Sequence, residues 1–588
     1  MGWDAWVTLA VIVVTVVILA RDLVSPTATV LGATIALLVA GVITPAQAFS
    51  GFSNPAPITV AALYVLARAV ERTGALPPLV ARVLGEGRGH RGSLARLVVP
   101  TAAASAFLNN TTIVAMLTPQ IADWAERRDL SPSRFLMPLS FAAIVGGTVT
   151  LIGTSTNIVV SGLLESAGRP AIGMFEITRI GFPLALAGIV LLLILAPFLL
   201  PERRGARQEM TEEAREFVVG MVVQPGGPLD GQTVAGGGLR HLQGVYLVEI
   251  ERAGETVAPV PPTAVLRGGD RLTFVGRADL VVDLQATRGL ISMEQPHLSQ
   301  MDTPRHTFFE AVVGPGSPLA GKTLRDLDFR ARYQAAVVAI HRAGARVRAK
   351  LGDVRLRGGD TLLLLADPDF RERWYDRNEF LLVSQLGGGL PARGAKAWVV
   401  GLVALGIVGV AGAGLMPILE TALLGAVALV LFRVLTPNEA KNAVDLNVIV
   451  LIAAAFGLGA AMETTGLADV VAGVLVNTFG VLGPKGALLG LVLTTVSLTS
   501  VITNNAAAIL MFPIALYTAP QVGLDVRSTA IAVAVAASAS FLTPIGYQTN
   551  TMIYGPGGYR FGDYSRLGLP LTIVVVAIIV ALSFSTTT

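Results

Sequence analysis

Two short stretches put adjacent carboxamides inside long apolar runs: Leu108-Asn109-Asn110-Thr111-Thr112 and Thr503-Asn504-Asn505-Ala506-Ala507. A proline follows each, Pro119 and Pro513. Downstream of each lies a second polar break, Gly153-Thr154-Ser155-Thr156-Asn157 and Gly546-Tyr547-Gln548-Thr549-Asn550, both reading G-x-x-T-N. An Asn side chain offers one carbonyl acceptor and an NH2 donor, so it serves an anion or a cation. Freed carbonyls and the hydroxyls of Ser105, Thr154, Ser500 and Thr549 suit Na+, a hard cation that prefers oxygen. No Lys, Arg, Asp or Glu lies within these four motifs. An anion there would be held by amides and by helix N-termini, with bound cations as countercharge. The bland alternative is that paired Asn residues hydrogen-bond neighbouring helices together. Two pairs, each with a matching second break, weigh against it.

Such motifs need discontinuous helices in a bilayer, where irregular backbone survives only in a protein-lined cavity. The composition agrees. The 588 residues are 53% hydrophobic and only 14% charged, with mean hydropathy +0.65; soluble domains carry about 25% charged residues. A net charge of +4 is small and says nothing about nucleic acid. With no Cys, disulfides and thiol chemistry are excluded. His90, His241, His297, His306 and His341 lie outside the apolar runs, which argues against a His relay or metal site in the membrane. The start, Met1-Gly2-Trp3-Asp4, lacks a basic n-region and reads as a retained first helix.

The chain divides into four expected regions: membrane repeat 1 at 1–204, soluble modules at 205–295 and 296–390, and membrane repeat 2 at 391–588. The membrane regions share ordered matches. Ala69-Val70-Glu71-Arg72-Thr73-Gly74 parallels Ala461-Met462-Glu463-Thr464-Thr465-Gly466. The Asn pairs and G-x-x-T-N breaks follow. Each half then closes on an F…R-x-G-x-P pattern: Phe175, Arg179, Gly181, Pro183 and Phe561, Arg566, Gly568, Pro570. Glu71 and Glu463 are candidate proton sites, but their places near helix ends favour an interfacial role.

Basic residues set the orientation. Arg72, Arg82, Arg88 and Arg91 fall in one loop, and Arg127, Arg128 and Arg134 in the next. Arg203, Arg204 and Arg207 open the soluble region. These agree only if Leu94–Ala122 is a re-entrant hairpin from the cytoplasm with Asn109-Asn110 at its tip. Gly486–Tyr517 is then its counterpart from outside. The expected fold is an all-α membrane protein: inverted repeats of five spans plus a hairpin each, with a cytosolic α+β tandem insert. Within the insert, Pro228-Leu229-x-Gly231-x-Thr233 recurs as Pro318-Leu319-x-Gly321-x-Thr323. Arg252-Ala253-Gly254 recurs as Arg342-Ala343-Gly344, and Leu266-Arg267-Gly268-Gly269-Asp270 as Leu356-Arg357-Gly358-Gly359-Asp360. Gly244–Ile250 and Ala335–Ile340 read as strands with Ala-Gly hairpin turns. The Arg-Gly-Gly-Asp step reads as a turn.

At the tips, Asn109-Asn110-Thr111 and Asn504-Asn505-Ala506, the chain resembles the divalent anion/sodium symporter family, the sodium-coupled sulfate and dicarboxylate carriers. That family carries Ser-Asn-Thr at each tip. The resemblance implies anion contacts from Asn110, Thr111 and Asn505. With the adjoining breaks, the candidate anion residues become Asn110, Thr111, Thr154, Asn157, Asn505, Ala506, Thr549 and Asn550. It implies Na+ ligands at Ser105, Asn109, Asn110 and Gly153, and at Ser500, Asn504, Asn505 and Gly546. The departures are Ser to Asn at both tips and Thr to Ala at the second. A lost hydroxyl suits a compact dianion such as sulfate better than two separated carboxylates. The likeness further implies an elevator mechanism, a homodimer and a bacterial-type inner membrane. The insert resembles the C-terminal domain of regulators of K+ conductance, twice over, which implies a small regulatory ligand such as cyclic di-AMP.

Rival readings are a K+ channel, an antiporter for Na+/H+ or an oxyanion, and an anion sensor that moves nothing. The first lacks a T-V-G-Y-G filter. The second lacks a carboxylate in a broken helix. No enzyme chemistry is expected.

Overall fold

The computed structural model describes residues 2–21, 24–74, 90–126, 128, 130–203, 218–239, 245–252, 255–258, 260–276, 289–292, 307–314, 317–342, 345–347, 349, 351–374, 379–385 and 396–584. The Arg82 and Arg88 loop, Arg127, Arg204 and Arg207, the Ala-Gly steps at 253–254 and 343–344, and the expected boundaries near 205, 296 and 390 lie outside them. Contacts divide the chain into two compact units. One is Met1–Arg203 with Gly389–Tyr554 and Tyr559–Thr588; the other is Arg204–Gly388 with Gly555–Gly558.

The first unit is helical. Among the described residues, five stretches are long and apolar enough to cross a membrane: Trp3–Ala20, Thr178–Leu199, Leu446–Thr464, Leu467–Thr499 and Phe561–Phe584. Shorter apolar helices stand between them, including Pro26–Val39, Ala397–Gly412 and Ile418–Leu431. Local chemistry sets the starts. Pro55–Arg72 opens with Pro at its first position, and the Asn54 side chain accepts from Ala56 N. The helix Leu467–Phe479 falls between two expected segments; it begins after Gly466, whose φ of 69° ends the preceding helix.

Each Asn pair marks a turn between two helices. His90–Ser105 returns as Asn110–Glu126, and Gly483–Thr499 returns as Asn504–Gln521. In the first, Asn109 Oδ1 accepts from Thr111 N at 2.9 Å, so the first Asn caps the second arm. Pro119 and Pro513 lie inside the returning arms. Each G-x-x-T-N lies where a second helix is interrupted: Ser133–Gly147 resumes as Ser155–Ser166, and Val526–Ser538 as Gln548–Tyr554.

The two interruptions are stitched by the same bonds. Asn157 Nδ2 donates to Gly147 O at 3.4 Å and Thr150 O at 2.9 Å. Asn550 Nδ2 donates to Ser540 O at 2.8 Å and Thr543 O at 3.3 Å. Thr150 Oγ1 donates to Ala106 O, and Thr543 Oγ1 to Ser500 O, tying each break to its hairpin turn. Thr178 Oγ1 donates to Val149 O and Ser565 Oγ to Leu542 O, tying each break to the helix after it. Glycines allow this closeness. A Cβ on Gly181 would lie 2.0 Å from Thr148 O, and one on Gly568 would lie 2.1 Å from Phe541 O. That is why the glycine of the R-x-G-x-P pattern recurs in both halves.

The second unit holds two five-stranded antiparallel sheets. The first uses β1 (Val218–Val223), β2 (Val245–Arg252), β3 (Glu255–Val257), β4 (Arg271–Gly276) and β5 (Leu290–Ser292) in the order β3-β2-β4-β1-β5. The second uses β6 (Thr307–Val313), β7 (Ala335–Arg342), β8 (Ala345–Arg346), β9 (Thr361–Ala366) and β10 (Phe380–Gln385) in the order β10-β6-β9-β7-β8. Read from its other edge, the second order repeats the first. Each sheet has its own core, around Met221, Leu272 and Phe274 in one, and Phe309, Tyr333 and Leu364 in the other.

The Arg-Gly-Gly-Asp step is more than a turn. Arg252 Nε and Nη2 each donate to the Asp270 carboxylate at 2.7 Å, and Arg342 does the same to Asp360. Each carboxylate also accepts from the first Arg amide of its own turn, Arg267 N or Arg357 N, at 2.8 Å. The hydrogen-bonded carboxylates raise both guanidinium pKa values further. Asp360 is 1% exposed, and both its oxygens are bonded to Arg342. Arg342→Ala should destabilise the second sheet by about 2–4 kcal/mol, between the exposed and buried limits for ion pairs. Faster amide hydrogen exchange in β7 and β9, with β2 and β4 unchanged, is the expected readout.

Candidate functional site

The hairpin turn of each half meets the break of the other. Asn110, from the first turn, lies 2.8 Å from the hydroxyl of Tyr547, in the second break. Thr111 Oγ1 lies 3.4 Å from Gln548 Oε1. From the other side, Asn504 Nδ2 donates to Thr156 Oγ1 at 2.8 Å. Asn505 Oδ1 accepts from Ser155 Oγ at 3.2 Å and Thr156 Oγ1 at 3.1 Å. At the crossing, Thr154 Oγ1 and Tyr547 Oη are 3.0 Å apart. The cluster has two layers. Asn110, Thr154, Thr156, Asn505 and Tyr547 are buried, while Asn109, Thr111, Ser155, Asn504 and Gln548 keep some exposure. Three helices of twelve residues or more, Asn110–Glu126, Ser155–Ser166 and Asn504–Gln521, begin here. Their N-terminal dipoles give a neutral cluster a positive bias.

Under the first turn the oxygens converge. Ser105 Oγ donates to Ala143 O at 2.8 Å and also contacts the Asn110 amide. Gly153 closes the pocket: a Cβ there would sit 2.5 Å from Gly147 O and 2.8 Å from Ser105 O. The Asn110 amide fits with its NH2 inward, donating to Ala143 O and Gly153 O at 3.1 Å each, while its oxygen accepts from Tyr547 Oη at 2.8 Å. Turned over, its oxygen would face those two carbonyls without a proton between them. Ser105, Asn110 and Gly153 thus stand together. Asn109 stands apart, capping Thr111 and lining a cleft with Tyr64, Phe107, Ile152 and Ser155.

The second half differs. A Cβ on Gly546 would lie 2.2 Å from Ser540 Oγ and 2.3 Å from Thr499 O, so oxygens converge there too. Thr543 Oγ1 donates to Ser500 O at 2.7 Å and accepts from Gly546 N at 3.2 Å. Ser500 Oγ donates back into its own helix, to Val496 O. Asn504 and Asn505 turn away from Gly546 toward the first break. Thr503 Oγ1, at the second turn, is buried with no partner among the described residues.

Among the expected anion residues, Asn110, Thr111, Thr154 and Asn505 meet at the crossing. Asn157 and Asn550 are committed to the break carbonyls. Thr549 packs on Ser140, whose Oγ lies 2.8 Å from Thr549 Oγ1 and 2.7 Å from Asn550 Oδ1. Ala506 is buried and brings no polar side chain. Sequence reasoning passed over Tyr547, Ser155, Thr156 and the Ala143 carbonyl. For Tyr547 a signal existed: it occupies the position in its break that Thr154 occupies in the first.

Fixed charges lie elsewhere. Arg527 chelates Glu176, its Nη2 reaching Oε2 at 2.6 Å, and also donates to Pro170 O and Ala171 O. Burial pushes the Glu176 carboxyl up, but the Arg527 hydrogen bonds and charge outweigh it and hold it below the usual range. Arg203 pairs with buried Asp563 through two bonds of 3.0 Å. Glu71 is paired with Arg68 at 3.0 Å, in keeping with a structural place near a helix end.

Apolar helices long enough to cross a bilayer, with paired interruptions around one neutral polar cluster, have the architecture of a multi-pass membrane transporter. The chain belongs to the citrate transporter family, whose profile matches residues 10–536 and 421–587. It is 36% identical to a candidate regulator of the sulfur deprivation response from Chlamydomonas reinhardtii, over 92% of this chain and 95% of that one. It is also 36% identical to an uncharacterized transporter of Synechocystis sp., over 97% of this chain and 95% of the relative. Sodium/sulfate cotransporter 2 of C. reinhardtii is 25% identical over 97% of this chain and 88% of that protein. The resemblance to sodium-coupled anion carriers read at the tips agrees with these relatives.

Asn110→Ala and Asn505→Ala should each abolish transport in a protein that still folds. Each deletion strands desolvated partners, Tyr547 or Ser155 and Thr156, at about 1–3 kcal/mol per unpaired group. Uptake into vesicles measures the loss, and a preserved size-exclusion profile separates it from misfolding.

Proposed function

We propose that the protein is a Na+-driven symporter of a divalent oxyanion, with sulfate the preferred substrate. The observation that carries this reading is the crossing cluster itself. It is rich in hydroxyls and amides, carries no ionised side chain, and adjoins convergent oxygens around Asn110. A dianion in such a place needs bound cations as countercharge, and oxygen-only convergence suits Na+. Ser105, Asn110 and Gly153 hold one Na+ in this reading; Ser500, Gly546 and the orphaned Thr503 hydroxyl favour a second near the other turn. The sodium and sulfate named in several relatives support the same assignment. A carboxylate substrate is the second reading, favoured by the family's description as citrate transporters.

In the proposed cycle the two halves are inverted repeats. The hairpins and broken helices slide as a transport body against Pro26–Val39, Pro55–Arg72 and their partners, in a homodimer. The sheet-bearing insert lies in the cytosol of a bacterial-type inner membrane and tunes transport through a small ligand such as a cyclic dinucleotide. The tandem repeat of strand order fits a paired ligand-sensing module.

Labelled sulfate uptake into proteoliposomes should require Na+ and be competed by excess sulfate more than by succinate or citrate. Uptake unchanged when choline replaces Na+ at constant pH would refute the coupling. Stronger competition by citrate would move the substrate to the second reading. Replacing residues 205–385 with a flexible Gly/Ser linker should leave a dimer that transports at an altered rate. Loss of the dimer together with transport would make the insert a structural element instead.

A further inference from the structure

The Asn110 carboxamide makes the same heavy-atom contacts either way round, and each orientation suits a different occupancy of the oxygens beneath it. With NH2 inward it donates to Ala143 O and Gly153 O, and its oxygen accepts from the Tyr547 hydroxyl. With oxygen inward, Oδ1 joins those carbonyls and Ser105 Oγ, and Nδ2 donates to Tyr547 Oη at 2.8 Å. In the second arrangement Ser105 Oγ has one proton for Oδ1 and Ala143 O together, which leaves these oxygens short of donors until a cation joins them. Occupancy therefore sets the amide, and the amide sets the Tyr547 hydroxyl.

A phenol has one proton to give. When that proton goes to Asn110, the Tyr547 oxygen accepts from Thr154, 3.0 Å away, and the Thr154 proton is consumed. When Asn110 donates instead, the Tyr547 proton turns to Thr154 Oγ1. The Thr154 proton is then released. Thr154 is the chain neighbour of Ser155, in the accessible layer of the cluster. Tyr547 is 6% exposed and Thr154 2%, so water does not compete freely for these bonds. Tyr547 comes from the opposite half to Asn110 and Thr154. A threonine at 547, the residue type at the matching place in the first break, is too short to carry this bridge.

We propose that Tyr547 is the positioning residue that couples the two ligands. A cation in the Ser105–Asn110–Gly153 pocket reverses the hydrogen-bond direction through Asn110, Tyr547 and Thr154, and frees the Thr154 hydroxyl to donate to the dianion. This deepens the proposed Na+ symport and rests on it. No bond is broken and no proton leaves its oxygen; three donors reorient. Linkage makes the effect reciprocal: the anion tightens the cation by the same factor.

The test uses the purified full chain in detergent. Sulfate affinity is measured at low and high Na+, with choline keeping ionic strength constant. The wild type should bind sulfate about 5–150-fold more tightly at high Na+, the usual range of site coupling. Tyr547→Phe keeps the ring and removes the relay, so this ratio should fall close to one. Na+ alone should still raise the melting temperature of the variant, because the pocket's own oxygens remain. Thr154→Ala gives an independent arm that leaves Tyr547 in place, and it should flatten the ratio as well. A wild-type ratio in Tyr547→Phe or in Thr154→Ala would overturn the relay while leaving symport standing. A wild type whose sulfate affinity ignores Na+ would overturn symport and the relay together.

Discussion

The interaction on which the rest depends is the satisfaction of backbone carbonyls where the helices stop. In hydrocarbon an unpaired carbonyl costs several kcal/mol, and no water is present to relieve it. Each interruption frees carbonyls at the end of a helix, and each is rescued by one carboxamide, Asn157 or Asn550. Both amides are fully buried. They close the break on itself, so other carbonyls, such as those of Ala143 and Gly153, can face a shared pocket. Glycines do the remaining work by removing the Cβ atoms that would hold the turn, the break and the following helix apart. The polar motif thus divides its labour: its last Asn builds the loop, and the residues before it present the chemistry.

Electrostatics then explains where charge is tolerated. A fixed charge at the crossing would need a permanent partner, because a buried ion costs far more than it gains alone. Two ion pairs instead join the halves near the ends of these helices. Arg527 begins one such helix and grips Glu176, ahead of the last helix of the first half. Asp563, at the start of the last helix of the second half, is held by Arg203, which lies after the last helix of the first. These clamps bind the halves to one another and leave the centre neutral.

Much of this was legible in the sequence because it depends on residue type. Carboxamides and glycines in apolar runs have few roles, so Asn109-Asn110, Asn504-Asn505 and both G-x-x-T-N motifs mark real turns and interruptions. The strands of the insert were legible through alternation and recurrence. Partner choice was not. The sequence pairs Asn505 with Gly546 by analogy with Asn110 and Gly153, but the fold sends its side chain across to Ser155 and Thr156. No local pattern encodes which break a turn will face. The same holds for Asp270 and Asp360: a Gly-Gly-Asp turn is readable, while the arginine that neutralises it is fixed only by strand register.

That asymmetry bears on mechanism. Asn110 bridges its own half's pocket and the opposite break, and is buried with both ends of its amide engaged. Asn505 spends its oxygen on the first break alone. The two turns, alike in sequence, are therefore unequal in their wiring to the crossing. Repeats that share a backbone plan can thus diverge in one side-chain direction, and a single substitution, Tyr547 where the first half has Thr154, makes the two halves non-equivalent at the place where they touch.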